Sequence, residues 1–324
     1  MLYPLKFKPL FKEKIWGGHK LQTILGKDFS PLPNCGESWE IAAFNEASNI
    51  ITNGFLKDNT LEDILPVYMG DLVGEKVFDT YGETFPLLIK FIDANDDLSV
   101  QVHPNDEMAE KLYGQNGKTE MWYVIHAEKD AEINIGFNTP MTREKLEKHI
   151  ANNTLKDVLH YVNTRAGDVF YIPAGKVHAI GKGVLLAEIQ QSSDITYRLY
   201  DYNRKDTNGK LRPLHIQEAY QAIDYQNTDN EPIRLHATPN KSTSLVRSPY
   251  FITNILNFDK QVEKIYADMD SFVIYICLEG HARLIYPKGE ESISKGECIL
   301  IPATIEDTVF IPQGNCKLLE TYLP

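Results

Sequence analysis

The sequence lacks the features of several protein classes. It has no apolar run of roughly 18 residues or more, so no membrane-spanning helix is predicted. It also lacks an excess of basic residues, because 33 Lys and Arg stand against 45 Asp and Glu, a formal net charge of −12. This balance disfavours nucleic acid or an anionic membrane surface as a partner. An anionic small molecule in a locally basic pocket is not excluded.

Cysteine is scarce and follows no pattern. Cys35, Cys277, Cys298 and Cys316 form no CxxC pair, which argues against a thiolate metal site and a disulfide framework. The stretch MLYPLKFKPLFKEKIWGG at the start alternates lysine with apolar residues and does not resemble a signal peptide. We therefore expect reduced thiols in a cytoplasmic protein, with any metal bound by His, Glu, Asp or Gln.

The patterns that are present predict mostly β-structure. Short β-rich runs recur between Gly, Pro, Asn and Asp, as is typical of a sandwich or barrel. These runs are 86–92, 98–103, 121–125, 168–173, 184–190, 271–280, 282–287 and 297–302. Helical patterns are fewer and cover 60–74, 105–114, 142–162 and 214–223.

A weak internal repeat suggests two related parts. Segments 166–180 and 295–310 share the frame glycine, five residues, proline, but only the first continues to a histidine, His178. The polar stretch 224–242 has no periodic pattern and is the predicted boundary. We expect a catalytic domain over 1–240, with helical insertions, and a degenerate β domain over 241–324.

The motif from Gly167 to His178, Gly-x5-Pro-x-Gly-x2-His, resembles the second conserved motif of the cupins, small jelly-roll β-barrels that typically bind a metal. The first cupin motif usually offers His-x-His and a later Glu. Here Gln101-Val102-His103 takes its place, and Glu120 follows a long insertion. Within the cupins, this resembles the short, bacterial-type members of the type I mannose-6-phosphate isomerases. IWGGHKL (15–21), GESWEI (36–41) and EIQQSSDITYRLYDYNR (188–204) extend the match to nearly the whole chain.

The resemblance implies a mainly β protein with two cupin-like barrels and a few inserted helices. It also implies four metal ligands, Gln101, His103, Glu120 and His178. Strand alternation puts Gln101 and His103 on one face, and Lys118 and Glu120 on one face of a second run. Pairing of these strands would bring the side chains together, and zinc accepts two imidazole nitrogens with two oxygens. We expect one Zn²⁺ per chain.

Each ligand has an ordinary alternative when it is considered alone. His103 is also compatible with a histidine at a strand end, Glu120 with a surface carboxylate, and His178 with a cap for a Pro-Gly turn. The four residues in the motif frame together favour the metal site.

Three further residues bear on the substrate. The resemblance associates Ser99 and Lys118 with a substrate phosphate, and Arg198 with catalysis beside the metal; Lys118 is also a catalytic candidate. A hydroxyl, an ammonium and a guanidinium around one metal fit an oxyanion or phosphate. The ordinary alternative is that Lys118 and Arg198 are exposed charges paired with acidic residues.

The implied reaction interconverts mannose 6-phosphate and fructose 6-phosphate by proton transfer through a cis-enediol, so the partner is a small sugar phosphate. The residues leave the base open among Glu188, Asp194, Lys118, a zinc-bound water and the histidines.

Two other functions stay open at this point. His103, Glu120 and His178 also match the two-histidine, one-carboxylate set of non-haem iron oxygenases, although Gln101 fills a position that oxygen would need. A non-catalytic sugar-phosphate-binding cupin is the second alternative. The oligomeric state, monomer or dimer, is also open.

Overall fold

The computed structural model describes residues 2–44, 47–205 and 209–324. The helices of these residues are α1 (Lys20–Leu25), α2 (Leu61–Val73), α3 (Glu75–Tyr81), α4 (Asp106–Tyr113), α5 (Arg143–Ala151) and α6 (Ile216–Ala222), with a 3₁₀ turn at Leu155–Val158. None of them combines the length and apolar character that a membrane crossing requires.

The strands fall into an earlier and a later group along the chain. The earlier strands are β1 (Leu5–Lys6), β2 (Leu10–Lys12), β3 (Glu37–Ile41), β4 (Ala43–Phe44), β5 (Ala47–Ser48), β6 (Leu87–Ala94), β7 (Val100–Val102), β8 (Glu120–Ala127), β9 (Glu132–Phe137), β10 (Leu159–Asn163), β11 (Val169–Ile172), β12 (His178–Ile180), β13 (Val184–Gln191) and β14 (Tyr197–Tyr200). The later strands are β15 (Ser242–Arg247), β16 (Ile252–Phe258), β17 (Val262–Ile265), β18 (Val273–Glu279), β19 (His281–Tyr286), β20 (Gly289–Ser294), β21 (Cys298–Ile301), β22 (Asp307–Pro312) and β23 (Cys316–Tyr322).

The described residues form four larger antiparallel sheets, sheets 1 to 4. Sheet 1 has the order β10-β9-β12-β7-β14, and sheet 2 has the order β11-β8-β13-β6-β3-β2. Sheet 3 has the order β1-β21-β18-β23-β16-β15, and sheet 4 has the order β17-β22-β19-β20. The early strand β1 therefore joins a sheet that the later strands otherwise form.

Strand alternation arranges the four sheets as layers, because successive side chains point to opposite faces. Ile92 and Leu186 of sheet 2 pack toward Ile133 of sheet 1, whereas residues of the opposite face of sheet 2 pack against sheet 3. The other face of sheet 3 packs on sheet 4. Helices α5 and α6 cover the outer face of sheet 1. Apolar cores thus lie between successive sheets.

Local sequence signals set the helix ends. The Thr60 hydroxyl accepts from the Asp63 amide and the Asp63 carboxylate accepts from the Thr60 amide, a capping box that starts α2. The Asn105 side chain caps α4, and Gly114 ends it in the left-handed conformation.

The mainly β prediction is confirmed. The helical prediction for 142–162 is partly wrong, because α5 ends at Ala151 and Leu159–Asn163 forms strand β10. Pairing of β10 with β9 outweighs the local helical pattern there. Closure of the sheets into two barrels and the domain division after residue 240 stay predictions.

Candidate active site

Three neighbouring strands of sheet 1 place polar side chains in one row. His178 of β12 lies opposite Gln101 of β7, which in turn lies opposite Arg198 of β14. The alternate residues Val100 and Val102 point into the core beneath the helices. Gln101, His178 and Arg198 therefore face the interior between sheets 1 and 2, which explains the polar alternation in LSVQVH.

Sheet 2 supplies the carboxylate that faces this row. The Nε2 atoms of His103 and His178 each lie 3.5 Å from an oxygen of Glu120, and all three residues are buried. The Gln101 amide lies 3.3 Å from His178 Nε2. Strands β7 and β8 do not pair with each other, contrary to our expectation from the sequence. They belong to facing sheets, and the ligands converge across the gap.

Backbone carbonyls fix the orientation of both imidazoles. His103 Nδ1 donates to the Ile195 carbonyl and His178 Nδ1 to the Lys176 carbonyl, each at 2.8 Å. A ring that donates from Nδ1 keeps a lone pair on Nε2 when it is neutral. Both lone pairs therefore point toward Glu120, as in metal-binding histidines held by a second hydrogen bond.

The turn before His178 is hydrogen-bonded to His103, the residue that follows strand β7. Gly175 has a φ of 86°, which favours glycine, and its amide donates to the His103 carbonyl at 2.9 Å. The motif glycine thus brings the two histidine segments together.

Several buried polar atoms of the cluster lack a hydrogen-bond partner within the described ranges. Among the described residues, His103 Nε2 and Glu120 Oε1 have no hydrogen-bond partner although they are buried. The donor atoms of His103, Glu120 and His178 all lie within 4.8 Å of one another. Buried polar atoms normally have partners. His178 Nε2 has the Gln101 amide as its neighbour at 3.3 Å. Two imidazole nitrogens and a carboxylate this close together, with two of these three groups lacking a partner in the described part of the chain, fit a divalent metal ion such as zinc.

The protonation states agree with this interpretation. Burial lowers the pKa of His178 to about 3 and that of His103 well below its usual value, so both rings are neutral at pH 7. Burial raises the pKa of Glu120 to about 7, against the opposing charge of Lys118. A cation at the cluster would favour the ionised carboxylate.

Lys118 lies next to the cluster. Its Nζ is 2.8 Å from Glu120 Oε2, and the side chain is buried. Burial disfavours the ammonium, but the carboxylates of Glu120 and Glu188 outweigh that effect and raise the pKa of Lys118. Lys118 is therefore positively charged at neutral pH.

A cavity of about 280 Å³ opens beside the cluster. Its lining includes the predicted residues Ser99, Gln101, Lys118 and Arg198. Five basic side chains line it against three acidic ones; these are Lys14, Lys90, Lys118, Arg198 and Arg212, with Glu37, Glu188 and Asp194. A chain of net charge −12 therefore has a cavity with a surplus of positive charge, which suits an anionic ligand.

Sequence reasoning did not identify several cavity residues. Lys90 contacts Glu188 at 3.1 Å and donates to Gln190 at 2.6 Å, while Trp122 donates to the other Glu188 oxygen at 2.9 Å. Lys90 lies in PLLIKFI (86–92), and a single lysine in an otherwise apolar run was the available sequence signal. No sequence signal marked Arg212, because it lies in a polar segment without a periodic pattern.

The structure brings all seven predicted site residues to the cluster or to the cavity wall. His103, Glu120 and His178 form the cluster, and Gln101 belongs to both cluster and wall. Ser99, Lys118 and Arg198 line the wall. Their individual roles stay predictions.

Comparison with known proteins gives consistent results. The family model of the phosphomannose isomerase type I catalytic domain matches residues 4–135. The mannose-6-phosphate isomerase ManA of Bacillus subtilis is 39% identical over 326 residues, covering 99% of each chain.

Solved structures share the architecture. The crystal structure of a mannose 6-phosphate isomerase from Bacillus subtilis superposes with a TM-score of 0.84 at 32% identity, covering 98% of this chain and 99% of that one. A zinc-bound mannose 6-phosphate isomerase has a TM-score of 0.78 with 99% coverage of both chains, and at 17% identity this likeness concerns the fold alone.

Proposed function

The chain belongs to the type I mannose-6-phosphate isomerase family, and we propose that it interconverts mannose 6-phosphate and fructose 6-phosphate with zinc as its cofactor. One observation carries the proposal. The buried cluster of His103, Glu120 and His178 adjoins a cavity with a surplus of positive charge. A metal that polarises sugar oxygens and a site for a phosphate are what this reaction requires.

The donor set supports zinc. His103 and His178 would bind the ion through Nε2, and Glu120 through its carboxylate, with Gln101 as the predicted fourth ligand. A bound zinc supplies a Lewis acid for the oxygens on C1 and C2 of the opened sugar. One ion per chain stays a prediction.

We propose that Arg198 stabilises the negative charge that develops on the sugar during proton transfer. Removal of a proton next to a carbonyl produces an enediolate, whose oxygen needs a positive partner. Arg198 lies directly across the strands from Gln101 and lines the cavity, and its Nε has no hydrogen-bond partner among the described residues. A guanidinium with an uncommitted donor suits a developing oxyanion.

The structure narrows the choice of base among the protein's own groups. The ring nitrogens of His103 and His178 face Glu120 or donate to carbonyls, and Lys118 is protonated. Glu188 and Asp194 both line the cavity. Burial alone would raise the pKa of Glu188, but Lys90 and Lys118 hold it below its usual value, so this carboxylate is ionised. Of the protein's own groups that the sequence left open as the base, we favour these two carboxylates.

Replacing Lys118 by methionine is expected to lower kcat/KM for mannose 6-phosphate about tenfold or more, because a charge-assisted contact is worth roughly 1.5–3 kcal/mol. Steady-state kinetics with mannose 6-phosphate and with free mannose measure the effect. A rise in KM confined to the phosphorylated sugar supports the predicted phosphate contact of Lys118 and Ser99. A fall in kcat supports the catalytic role beside Glu120, and native values of both constants would contradict both roles.

The comparisons favour the isomerase over the two alternatives. Relatives that cover the whole chain are isomerases, and the amide of Gln101 adjoins His178, where an oxygenase needs an open position. Assignment as a non-catalytic binder leaves the full ligand set unexplained. A cytoplasmic location, a monomeric or dimeric assembly and the absence of nucleic-acid binding stay predictions.

Isomerisation in D₂O tests the proton-transfer step. A base that holds the proton between the two carbons can exchange it with solvent, so a fraction of the product isolated after one conversion should carry deuterium on the carbon that receives it. Nuclear magnetic resonance of fructose 6-phosphate at C1 measures this. Deuterium at C1 would exclude a direct hydride shift between C2 and C1, and absence of product would contradict the isomerase assignment.

A further inference from the structure

The positive charge of the cavity is unevenly compensated. Each lysine of the lining has a carboxylate partner. Lys14 pairs with Glu37 at 3.0 Å, Lys90 with Glu188 at 3.1 Å and Lys118 with Glu120 at 2.8 Å. The charged residues of the lining that remain are Arg198, Arg212 and Asp194, so the surplus of positive charge lies on the two arginines and amounts to one net charge.

The two arginines have one nearby carboxylate between them, and it is already engaged. Asp201 accepts from Arg212 Nε at 2.7 Å and also from Arg212 Nη2, and it accepts from Arg204 Nη2 at 2.6 Å. Arg198 forms no ion pair among the described residues, and burial together with the charge of Arg212 lowers its pKa. Arg204 lies outside the cavity lining and also contacts Asp96 at 3.8 Å, so its charge is not available to a ligand there. Arg198 and Arg212 against Asp201 leave one net positive charge for an anion.

Arg212 is fixed in an orientation that suits such an anion. Asp201 is 4% exposed and holds Nε and Nη2 of Arg212, which is itself 20% exposed. A guanidinium with one edge on a carboxylate keeps its outer donors for a second oxyanion. In the part of the chain that the structure describes, Arg212 Nη1 has no hydrogen-bond partner.

The strand register also places Arg198 and the anchor of Arg212 at different distances from the metal cluster. Arg198 lies opposite the predicted ligand Gln101, and Tyr200 lies opposite Val100. Asp201, which holds Arg212, follows Tyr200 and is therefore farther along the direction of β14 from Gln101 than Arg198 is. A substrate whose reacting carbons lie at the metal cluster would extend its far end past Arg198.

We infer that Arg212, oriented by Asp201, binds the phosphate group of the sugar phosphate and thereby gives the site its preference for phosphorylated sugars. The inference rests on the proposed function. A phosphate monoester carries about −1.5 to −2 charges at pH 7. It would be attracted by Arg198, which has no ion pair among the described residues, and by the outer donors of Arg212 that Asp201 leaves free. Arg212 is a binding residue in this assignment, and Asp201 is a positioning residue.

Arg212→Gln tests the inference on the zinc-loaded full chain. Two quantities are measured: the Kd of inorganic phosphate by calorimetry, and kcat and KM for mannose 6-phosphate. We expect the phosphate Kd and the KM each to rise about tenfold or more, with kcat within a few-fold of the native value. Loss of a contact made equally in ground and transition states raises KM alone.

Arg204→Gln is the matched control, because Arg204 also bonds Asp201 but does not line the cavity. It should leave the phosphate Kd near the native value. An unchanged Kd in folded Arg212→Gln, or an equal rise in both variants, overturns the inference. If Arg212→Gln fails to fold, Arg212→Met decides by the same two outcomes. A native chain that binds phosphate through Arg212 but does not isomerise the sugar would contradict the proposed function and leave the phosphate site standing.

Discussion

Replacing Arg198 by alanine is expected to lower kcat and kcat/KM together by roughly 10²–10³-fold, as does loss of an oxyanion-hole donor in other enzymes. The reason is that its guanidinium matters most when negative charge develops on the sugar oxygen. Interactions that are stronger in the transition state than in the ground state raise kcat. Zinc content should not change, because arginine is not a ligand.

Arg198→Lys separates the geometry of the side chain from its charge. An ammonium keeps the charge but not the planar, two-pronged donor, so it should recover part of the loss. Measurement of kcat, zinc content and Tm on one preparation decides the matter. If Arg198 is a structural residue, the alanine variant has a lower Tm and a near-native kcat in the folded fraction, and the catalytic assignment fails.

Replacing His178 by alanine should remove both the metal and the activity. His178 supplies one of two imidazole nitrogens that face Glu120, and its Nδ1 is committed to the Lys176 carbonyl. Lewis-acid stabilisation is worth several kcal/mol, so turnover should fall by about 10³-fold or more. Elemental analysis and the isomerase assay measure the two effects.

The exposed His236 provides the control for this substitution. His236→Ala should retain native zinc content and turnover, because His236 has no place in the cluster or the cavity lining. Since His178 is fully buried, Tm and circular dichroism must show that its variant is folded. A folded His178→Ala protein with full zinc content would rule His178 out as a ligand.

The side of the strand on which each metal ligand lies can be predicted from the sequence, because it depends on patterns within a few residues. Alternation places Gln101 between Val100 and Val102, and the glycine-proline frame fixes the turn before His178. The contact of Lys118 with Glu120 follows from their positions two residues apart on β8 and its preceding loop. Each of these features is determined within a few residues.

Features that depend on how sheets stack were not predictable in this way. The meeting of Glu120 with His103 requires sheets 1 and 2 to face each other, which neither strand's own pattern specifies. Arg212 reaches the cavity because Asp201 holds its side chain, although its own segment has no periodic pattern. The strand at Leu159–Asn163 was missed for a similar reason, since its partner β9 lies more than twenty residues earlier.

The central claim, a zinc-dependent mannose 6-phosphate isomerase, is tested most directly by one measurement. The purified chain is assayed for fructose 6-phosphate formation from mannose 6-phosphate in three states: as metal-loaded protein, after chelation, and after readdition of Zn²⁺. Elemental analysis and circular dichroism are recorded for each state. We predict turnover that is lost on chelation while the sheets stay folded, and that returns with Zn²⁺. Undiminished turnover in verified metal-free protein, or no turnover in the zinc-loaded protein, would contradict the claim.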